Sequence, residues 1–197
     1  MVEQRKEWQK LQAVIDESKL VFLDETWAKT NMTPLYGWAE RGKRLTDFVP
    51  QGHWKTTTFL AALRYDGLTA PMVSDGAING ELFLAYVEQF LLPTLREGDI
   101  VVMDNLSSHK VAGVKKAIES VGAQVLYLPP YSPDLNPIEM VFSKLKTLVR
   151  KSKVRKVSEL WHKLGELCDV FLPEECRKYF KHARYEKQGV HTNPDTL

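Results

Sequence analysis

The chain has 197 residues, a length that suits one domain of ordinary size. Its hydrophobic content of 44% and charged content of 26% are those of a globular protein, and they exclude a disordered chain. A net charge of +2 does not by itself identify a nucleic-acid-binding protein, and no apolar stretch approaches the roughly 20 residues that a membrane-spanning helix needs.

Hydrophobic periodicity predicts strands early in the chain and an alternation of helices and strands later. The predicted elements are a helix at 3–17, a strand at 20–24, a hairpin within 31–44, strands at 56–64 and 69–73, a helix through 95 with Asn79 as its N-cap, a strand at 100–103, a helix at 110–121, a strand at 123–128, a helix from 137 past 148, and helical residues at 157–186. Val14 is placed on the apolar side of the first helix, and Trp27, Trp38 and Trp161 are predicted to lie in the core. This order of elements is typical of a mixed sheet flanked by helices.

Two apolar segments each run directly into an acid. Residues 20–23 precede Asp24, and residues 100–103 precede Asp104. A carboxylate at the end of a buried strand is costly unless a positive group holds it, and sites in open α/β sheets gather at the carboxyl ends of strands. A single such Asp more often caps a turn, but two of them favour a shared site. Glu25 is excluded as a ligand, because side chains alternate across a strand.

A third acid, Glu139, lies at a predicted helix start. Asn136, Pro137 and Glu139 suit the N-cap, N1 and N3 positions, where Glu139 could serve only as half of a capping box. The same geometry could present its carboxylate to a metal, because the four prolines between 129 and 137 stiffen the preceding loop. Three such acids suit a divalent metal that cuts and joins phosphodiesters.

Three segments carry a resemblance to a known family. They are VFLDET at 21–26, VVMDNLSSHK at 101–110 and LPPYSPDLNPIEMVFSKLK at 128–146. They resemble the catalytic domain of Tc/mariner-superfamily transposases, and more closely the bacterial insertion-sequence branch often labelled DDE superfamily endonucleases. Thirty-four residues separate Asp104 from Glu139, and the YSPDLNPIE string is highly specific.

The resemblance implies an α/β, RNase H-like fold, with a mixed five-stranded sheet flanked by helices. It assigns the catalytic and metal-binding triad to Asp24 on the first strand, Asp104 after the fourth and Glu139 on the helix after the fifth. Animal mariner elements have Asp as the third member, whereas this chain has Glu. The triad would hold Mg²⁺ or Mn²⁺, as two ions.

The implied function is that of a DNA transposase catalytic domain, which cleaves element ends and transfers strands into target DNA. Its partners would be double-stranded DNA, as element ends and TA-containing target, a second copy in a homodimer, and an upstream DNA-binding protein or reading frame. No membrane partner is expected. Two alternatives stay open: a catalytically inert DNA-binding or assembly remnant, and a stand-alone RNase H-like nuclease.

The predicted division is a linker helix at 1–19, an RNase H-like catalytic domain at 20–186 and a tail at 187–197. Relatives carry helix-turn-helix modules ahead of this domain, so we expect the second frame of a split element or a truncated copy. The start has no apolar signal core, and the two cysteines form no CxxC pair. Both features suggest a reducing cytoplasmic compartment, and the resemblance to bacterial elements implies a place at the nucleoid.

Residues 143–156 carry seven Lys or Arg and no acid, and they continue the helix of Glu139. The run is either a solvated helix face or a surface for phosphate contacts beside the scissile bond. The predicted DNA-contacting residues are Asn105, His109, Lys144, Lys146, Arg150, Lys151, Lys153, Arg155 and Lys156. For His109, capping of the following helix is an equal alternative.

Overall fold

The computed structural model describes residues 2–105, 111 and 113–186. His109 and the predicted tail at 187–197 lie outside the described residues. The strands are β1 (Leu20–Lys29), β2 (Thr56–Arg64), β3 (Gly67–Asp75), β4 (Ile100–Met103) and β5 (Gln124–Tyr127). They form one mixed sheet in the order β3-β2-β1-β4-β5, in which β1 is antiparallel to β2 and parallel to β4. The predicted mixed five-stranded sheet is confirmed.

The helices follow the predicted order, and the helix predicted up to residue 95 continues as a π-helical segment (Val87–Leu91) and a 3-10 turn (Leu92–Thr94), whereas the first helix is shorter than predicted. They are α1 (Val2–Gln12), α2 (Gly80–Tyr86), α3 (Val114–Glu119), α4 (Ile138–Ser152), α5 (Val157–Cys168) and α6 (Pro173–His182). Asn79 caps α2 as predicted, because its Oδ1 accepts the backbone N–H of Leu82 at 2.8 Å. Among the described residues, no helix is both long and apolar enough to cross a membrane.

Side chains of β1 alternate between two cores, one on each face of the sheet. Leu20 and Phe22 pack into the core built with α4, α5 and α6. Val21 and Leu23 pack into the core built with α2 and α3. Because side chains alternate along a strand, Asp24 lies on the face of α4 and Glu25 on the face of α2.

The first strand is longer than predicted. Asp24 does not end β1, because the strand continues to Lys29 and pairs with β2, with Asp24 opposite Ala61. The parallel pairing with β4 ends one residue earlier, where Leu23 lies opposite Met103. The apolar run in the sequence therefore marks the part of β1 that pairs with β4, and not the full length of the strand.

Several predictions about apolar residues are wrong. The hairpin at 31–44 does not form, because this segment, rich in Gly and Pro, has no strand to pair with. Trp38 in that segment is 99% exposed, and Trp27 and Trp161 are partly exposed, at 47% and 36%. Val14 is exposed because α1 ends at Gln12 and no longer places it on a helix face.

Candidate active site

A cavity of about 380 Å³ lies where β1, β4 and the start of α4 meet. Its lining includes all three predicted acids, Asp24, Asp104 and Glu139. Asp24 is buried in β1, Asp104 is half-buried directly after β4, and Glu139 is exposed as the second residue of α4. The structure therefore brings the predicted acids to one cavity, at the carboxyl end of β4 and beside β1, where α/β proteins commonly bind ligands.

Hydrogen bonds hold the Asp24 carboxylate in place. Its Oδ1 accepts the backbone N–H of Glu25 at 2.7 Å, and its Oδ2 accepts Nδ2–H of Asn136 at 2.8 Å. The residue is only 6% exposed, so these bonds offset part of the cost of removing a charged group from water. A carboxylate oxygen that accepts one hydrogen bond still has a lone pair for another partner.

The capping box proposed for Glu139 is not formed. Helix α4 begins at Ile138 with Pro137 as its N-cap, and no side chain of the described residues caps it. The backbone N–H of Asn136, which Glu139 would have accepted, already donates to the carbonyl of Pro133 at 3.0 Å. The predicted local register is therefore wrong by one residue, and the capping role does not account for Glu139.

The donor set fits a divalent cation in its chemistry. Hard cations such as Mg²⁺ prefer oxygen ligands, and three carboxylates in one cavity supply them. In residues 2–105, 111 and 113–186, no three His, Cys, Asp or Glu side chains are arranged tightly enough to hold one ion in common. The acids thus share a cavity without converging on a single point.

A basic side chain lies beside the acids and over an exposed tryptophan. The Nζ of Lys146 lies 4.7 Å from the ring centroid of Trp27, and the Nζ of Lys29 lies 4.7 Å from the same ring. Burial lowers the pKa of Lys146, while the negative charges of Glu139 and Asp24 act to raise it. Lys146 is therefore within electrostatic reach of two of the three acids.

Four other predicted DNA-contacting cations form contacts within the chain. Lys144 donates to Glu175 at 2.6 Å, Lys153 pairs with Asp47 at 2.8 Å, Arg155 donates to the carbonyl of Met32 at 3.0 Å, and Lys156 lies 3.3 Å from Glu159. The Arg155 contact is to a main-chain oxygen, so this guanidinium helps to hold the turn after α4 against the segment after β1. Part of the basic run therefore has a structural role.

The remaining predicted contacts lie in different places. Asn105 lines the cavity next to Asp104. Arg150 and Lys151 lie in the last turn of α4, where Lys151 is exposed. These two cations and Lys146 follow the same helix away from Glu139.

The loop that leads to Glu139 is held by both α1 and the segment after α6. Trp8 of α1 donates its Nε1–H to the hydroxyl of Tyr185 at 2.8 Å, and that hydroxyl donates to the carbonyl of Leu135 at 2.8 Å. Arg5 donates to both carboxylate oxygens of Asp134, at 3.0 and 2.6 Å. Helix α1, which lies in the segment predicted as a linker, thus contacts the loop that leads to Glu139.

Sequence analysis missed the contact of Asn136 with Asp24. The residue was interpreted as a helix cap, a role that its type and its place before Pro137 suggest equally well. Only the three-dimensional structure shows that its side chain reaches a residue 112 positions away.

Comparison with known proteins gives one family and one fold. The model of the DDE superfamily endonuclease family matches residues 19–161. A search of curated protein sequences finds no significant match. This matched range includes every strand of the sheet and all three acids of the cavity.

Solved structures of Mos1 transposase are similar to the chain. A pre-cleavage Mos1 transpososome has a TM-score of 0.76 at 18% identity, covering 93% of this chain and 60% of that one. A Mos1 paired-end complex with the left transposon end has a TM-score of 0.73 at 18% identity, covering 92% and 58%. The catalytic domain of Mos1 mariner transposase has a TM-score of 0.66 at 16% identity, covering 93% and 87%.

The chain spans about 58% of the length of the Mos1 chain in the paired-end complex. At 16–18% identity the likeness concerns the fold, and it confirms the predicted RNase H-like architecture. Family membership rests on the sequence match, which covers well over half of the chain. The protein belongs to the DDE superfamily endonuclease family.

Proposed function

We propose that this chain is the catalytic domain of a DNA transposase, which cleaves element ends and transfers the strands into target DNA. The observation that carries the proposal is the shared cavity of Asp24, Asp104 and Glu139, at the end of β4 and the start of α4. Membership of an endonuclease family supports it, because such a cavity of acids suits phosphodiester chemistry. Mos1 transposase, which has a similar fold, is described in complexes with a transposon end and with Mn.

The three acids would hold Mg²⁺ or Mn²⁺, as two ions. Bound in this way, the metals would supply activation of water or a DNA 3′-OH and stabilisation of the leaving oxygen. The protein would supply the three carboxylate ligands and hold them in position. Asp24 is fixed by two hydrogen bonds, Asp104 follows the end of a buried strand, and Glu139 lies on the first turn of a well-anchored helix.

The proposed partners follow from this chemistry. Double-stranded DNA, as element ends and TA-containing target, would enter the cavity alongside α4, where Lys146, Arg150 and Lys151 can neutralise phosphates. A homodimer would bring two element ends together, and an upstream protein or reading frame would supply sequence recognition. We place residues 20–186 in the catalytic domain and the protein at the bacterial nucleoid.

The decisive experiment is a metal-dependent cleavage assay on duplexes that carry the flanking element ends, with the upstream reading frame supplied. Asp24→Asn, Asp104→Asn and Glu139→Gln should each abolish cleavage and leave the fold intact. Glu25→Gln is the matched control, because Glu25 lies next to Asp24 but on the opposite face of the sheet. Near-normal cleavage by any one of the three variants would remove that residue from the triad.

The same assay separates the two alternatives. An inert remnant would bind DNA without cutting it under any metal condition. A stand-alone nuclease would cut hybrids or junctions and ignore the element ends. Metal-dependent cutting that is confined to the element ends supports the transposase.

A further inference from the structure

The side chain of Asn136 crosses the cavity wall to the first acid of the proposed triad. Its Nδ2–H donates to Asp24 Oδ2 at 2.8 Å, although the two residues are 112 positions apart in the chain. We propose that Asn136 is a positioning residue, which holds the Asp24 carboxylate in the orientation that divalent-metal binding needs. This inference rests on the proposed function, since it assigns Asn136 a role at the same site.

The local helix does not require this side chain. Among the described residues helix α4 has no side-chain cap, and backbone hydrogen bonds close the turn before it. The N–H of Asn136 donates to the carbonyl of Pro133 at 3.0 Å, and its own carbonyl accepts the N–H of Glu139 at 3.2 Å. The amide side chain therefore does not cap the helix start, and it donates to Asp24 instead.

For the stability of the fold the amide brings a gain and a cost, because its donor serves the buried Asp24 carboxylate while its oxygen is buried without a partner among the described residues. Asn136 is 4% exposed, and among the described residues its Oδ1 has no hydrogen-bond partner. Burying an amide oxygen without a partner costs free energy, which an apolar side chain of similar size would avoid. Within the described part of the chain, the polar contact of this side chain is the donation to Asp24. Its position at the cavity therefore indicates a role there.

The donor is held firmly relative to its acceptor. Leu135, the preceding residue, is buried, and its carbonyl accepts the hydroxyl of Tyr185 at 2.8 Å. Ile138, two residues later, is fully buried in the core beneath α4. Asp24 itself lies on the central strand of the sheet. Neither partner can move far without disturbing the core, so the hydrogen bond selects one orientation of the carboxylate.

Hydrogen bonds from outer residues to ligating carboxylates and imidazoles orient them, and their loss typically lowers metal affinity or activity by about 10–100-fold. The Asn136 bond occupies Oδ2, and the backbone N–H of Glu25 bonds to Oδ1. Only the first of these can be removed by changing a side chain. Asn136→Leu is the sharpest test, because leucine has a similar size and lacks both the donor and the partnerless oxygen.

The experiment is Mn²⁺ titration by calorimetry on the whole chain, together with thermal melting of the metal-free protein. Asn136→Leu should bind Mn²⁺ about 10–100-fold more weakly, while its metal-free melting temperature changes little, because removal of the partnerless buried oxygen offsets the loss of the donor to Asp24. Asn136→Gln, which keeps an amide donor, should recover part of the affinity. Glu25→Gln should bind as the wild type does.

Three results would overturn the proposal. Wild-type Mn²⁺ affinity in a folded Asn136→Leu variant would refute the positioning role and leave the proposed function standing. A large fall in the metal-free melting temperature would show that the bond serves the fold. Absence of Mn²⁺ binding and of cleavage in the wild type would remove the proposed function, and this inference with it.

Discussion

Arg64 and Asp99 form a buried ion pair that should be sensitive to removal of one charge. Arg64 Nη2 lies 2.5 Å from Asp99 Oδ2, and the two side chains are 9% and 2% exposed. The same Nη2 also donates to the carbonyl of Thr94 at 2.7 Å, and Asp99 Oδ2 accepts the N–H of Arg96 at 2.7 Å. The pair therefore ties the end of β2 to the turn that enters β4.

Asp99→Asn would leave the guanidinium buried without its counter-ion. Breaking a buried pair in this way costs about 3–5 kcal/mol, a large part of the roughly 5–15 kcal/mol that stabilises a typical domain. In a domain of this size each kcal/mol shifts the melting temperature by about 2–4 °C, so the expected fall is about 6–20 °C. The turn that precedes β4 should unfold most readily, and the position of Asp104 after β4 should then be less fixed.

Urea unfolding followed by tryptophan fluorescence measures this cost. Replacing both partners, as Arg64→Met with Asp99→Leu, should cost less than Asp99→Asn alone, because no buried charge is then left uncompensated. Lys115→Ala is the control, since Lys115 and Glu119 form a well-exposed pair at 3.6 Å. A loss below about 1 kcal/mol for Asp99→Asn, the range of exposed pairs, would refute the reasoning.

Three further predictions concern the metal, the loop and the DNA. Mg²⁺ or Mn²⁺ should raise the melting temperature of the wild type by mass action, and an equal rise in Asp104→Asn would argue against a shared site. Tyr185→Phe leaves a buried carbonyl and an indole N–H without their partner, so urea unfolding should show a loss of about 1–3 kcal/mol; an unchanged midpoint would mean that water replaces the hydroxyl. Alanine at Arg150 and Lys151 should weaken binding to a terminal repeat and to a scrambled duplex alike, with a shallower salt dependence. Strong preference for the repeat would instead place a sequence reader within this chain.

Much of the sheet could be predicted because its strands are apolar runs of distinct length. The limits of β2 and β4 agree with prediction, since turn residues bound both segments. The extension of β1 beyond Asp24 could not be predicted in the same way. Most of those residues are polar or aromatic, and they form a strand because β2 offers them backbone partners.

The candidate site shows the same limit. The three acids could be located, because each follows an apolar segment or begins an apolar-patterned helix. The role of Asn136 could not, because residue type and local position fit a helix cap, and only the long-range contact decides between the two. The exposed Trp38 is the converse case: a large aromatic residue does not imply burial where the surrounding segment has no strand or helix to pack against.

The unequal lengths of neighbouring strands explain how the cavity arises. β4 and β5 stop at the same row, where Met103 lies opposite Tyr127, while β1 continues to Lys29. Asp24, the proposed catalytic carboxylate, is therefore the first residue of β1 beyond that row. The pairing of β1 with β4 ends before it, while β1 continues paired with β2. The cavity therefore arises because neighbouring strands end at different rows of the sheet. Such a site should tolerate repacking of either core and be lost if an insertion after Met103 prolonged β4 by even two residues.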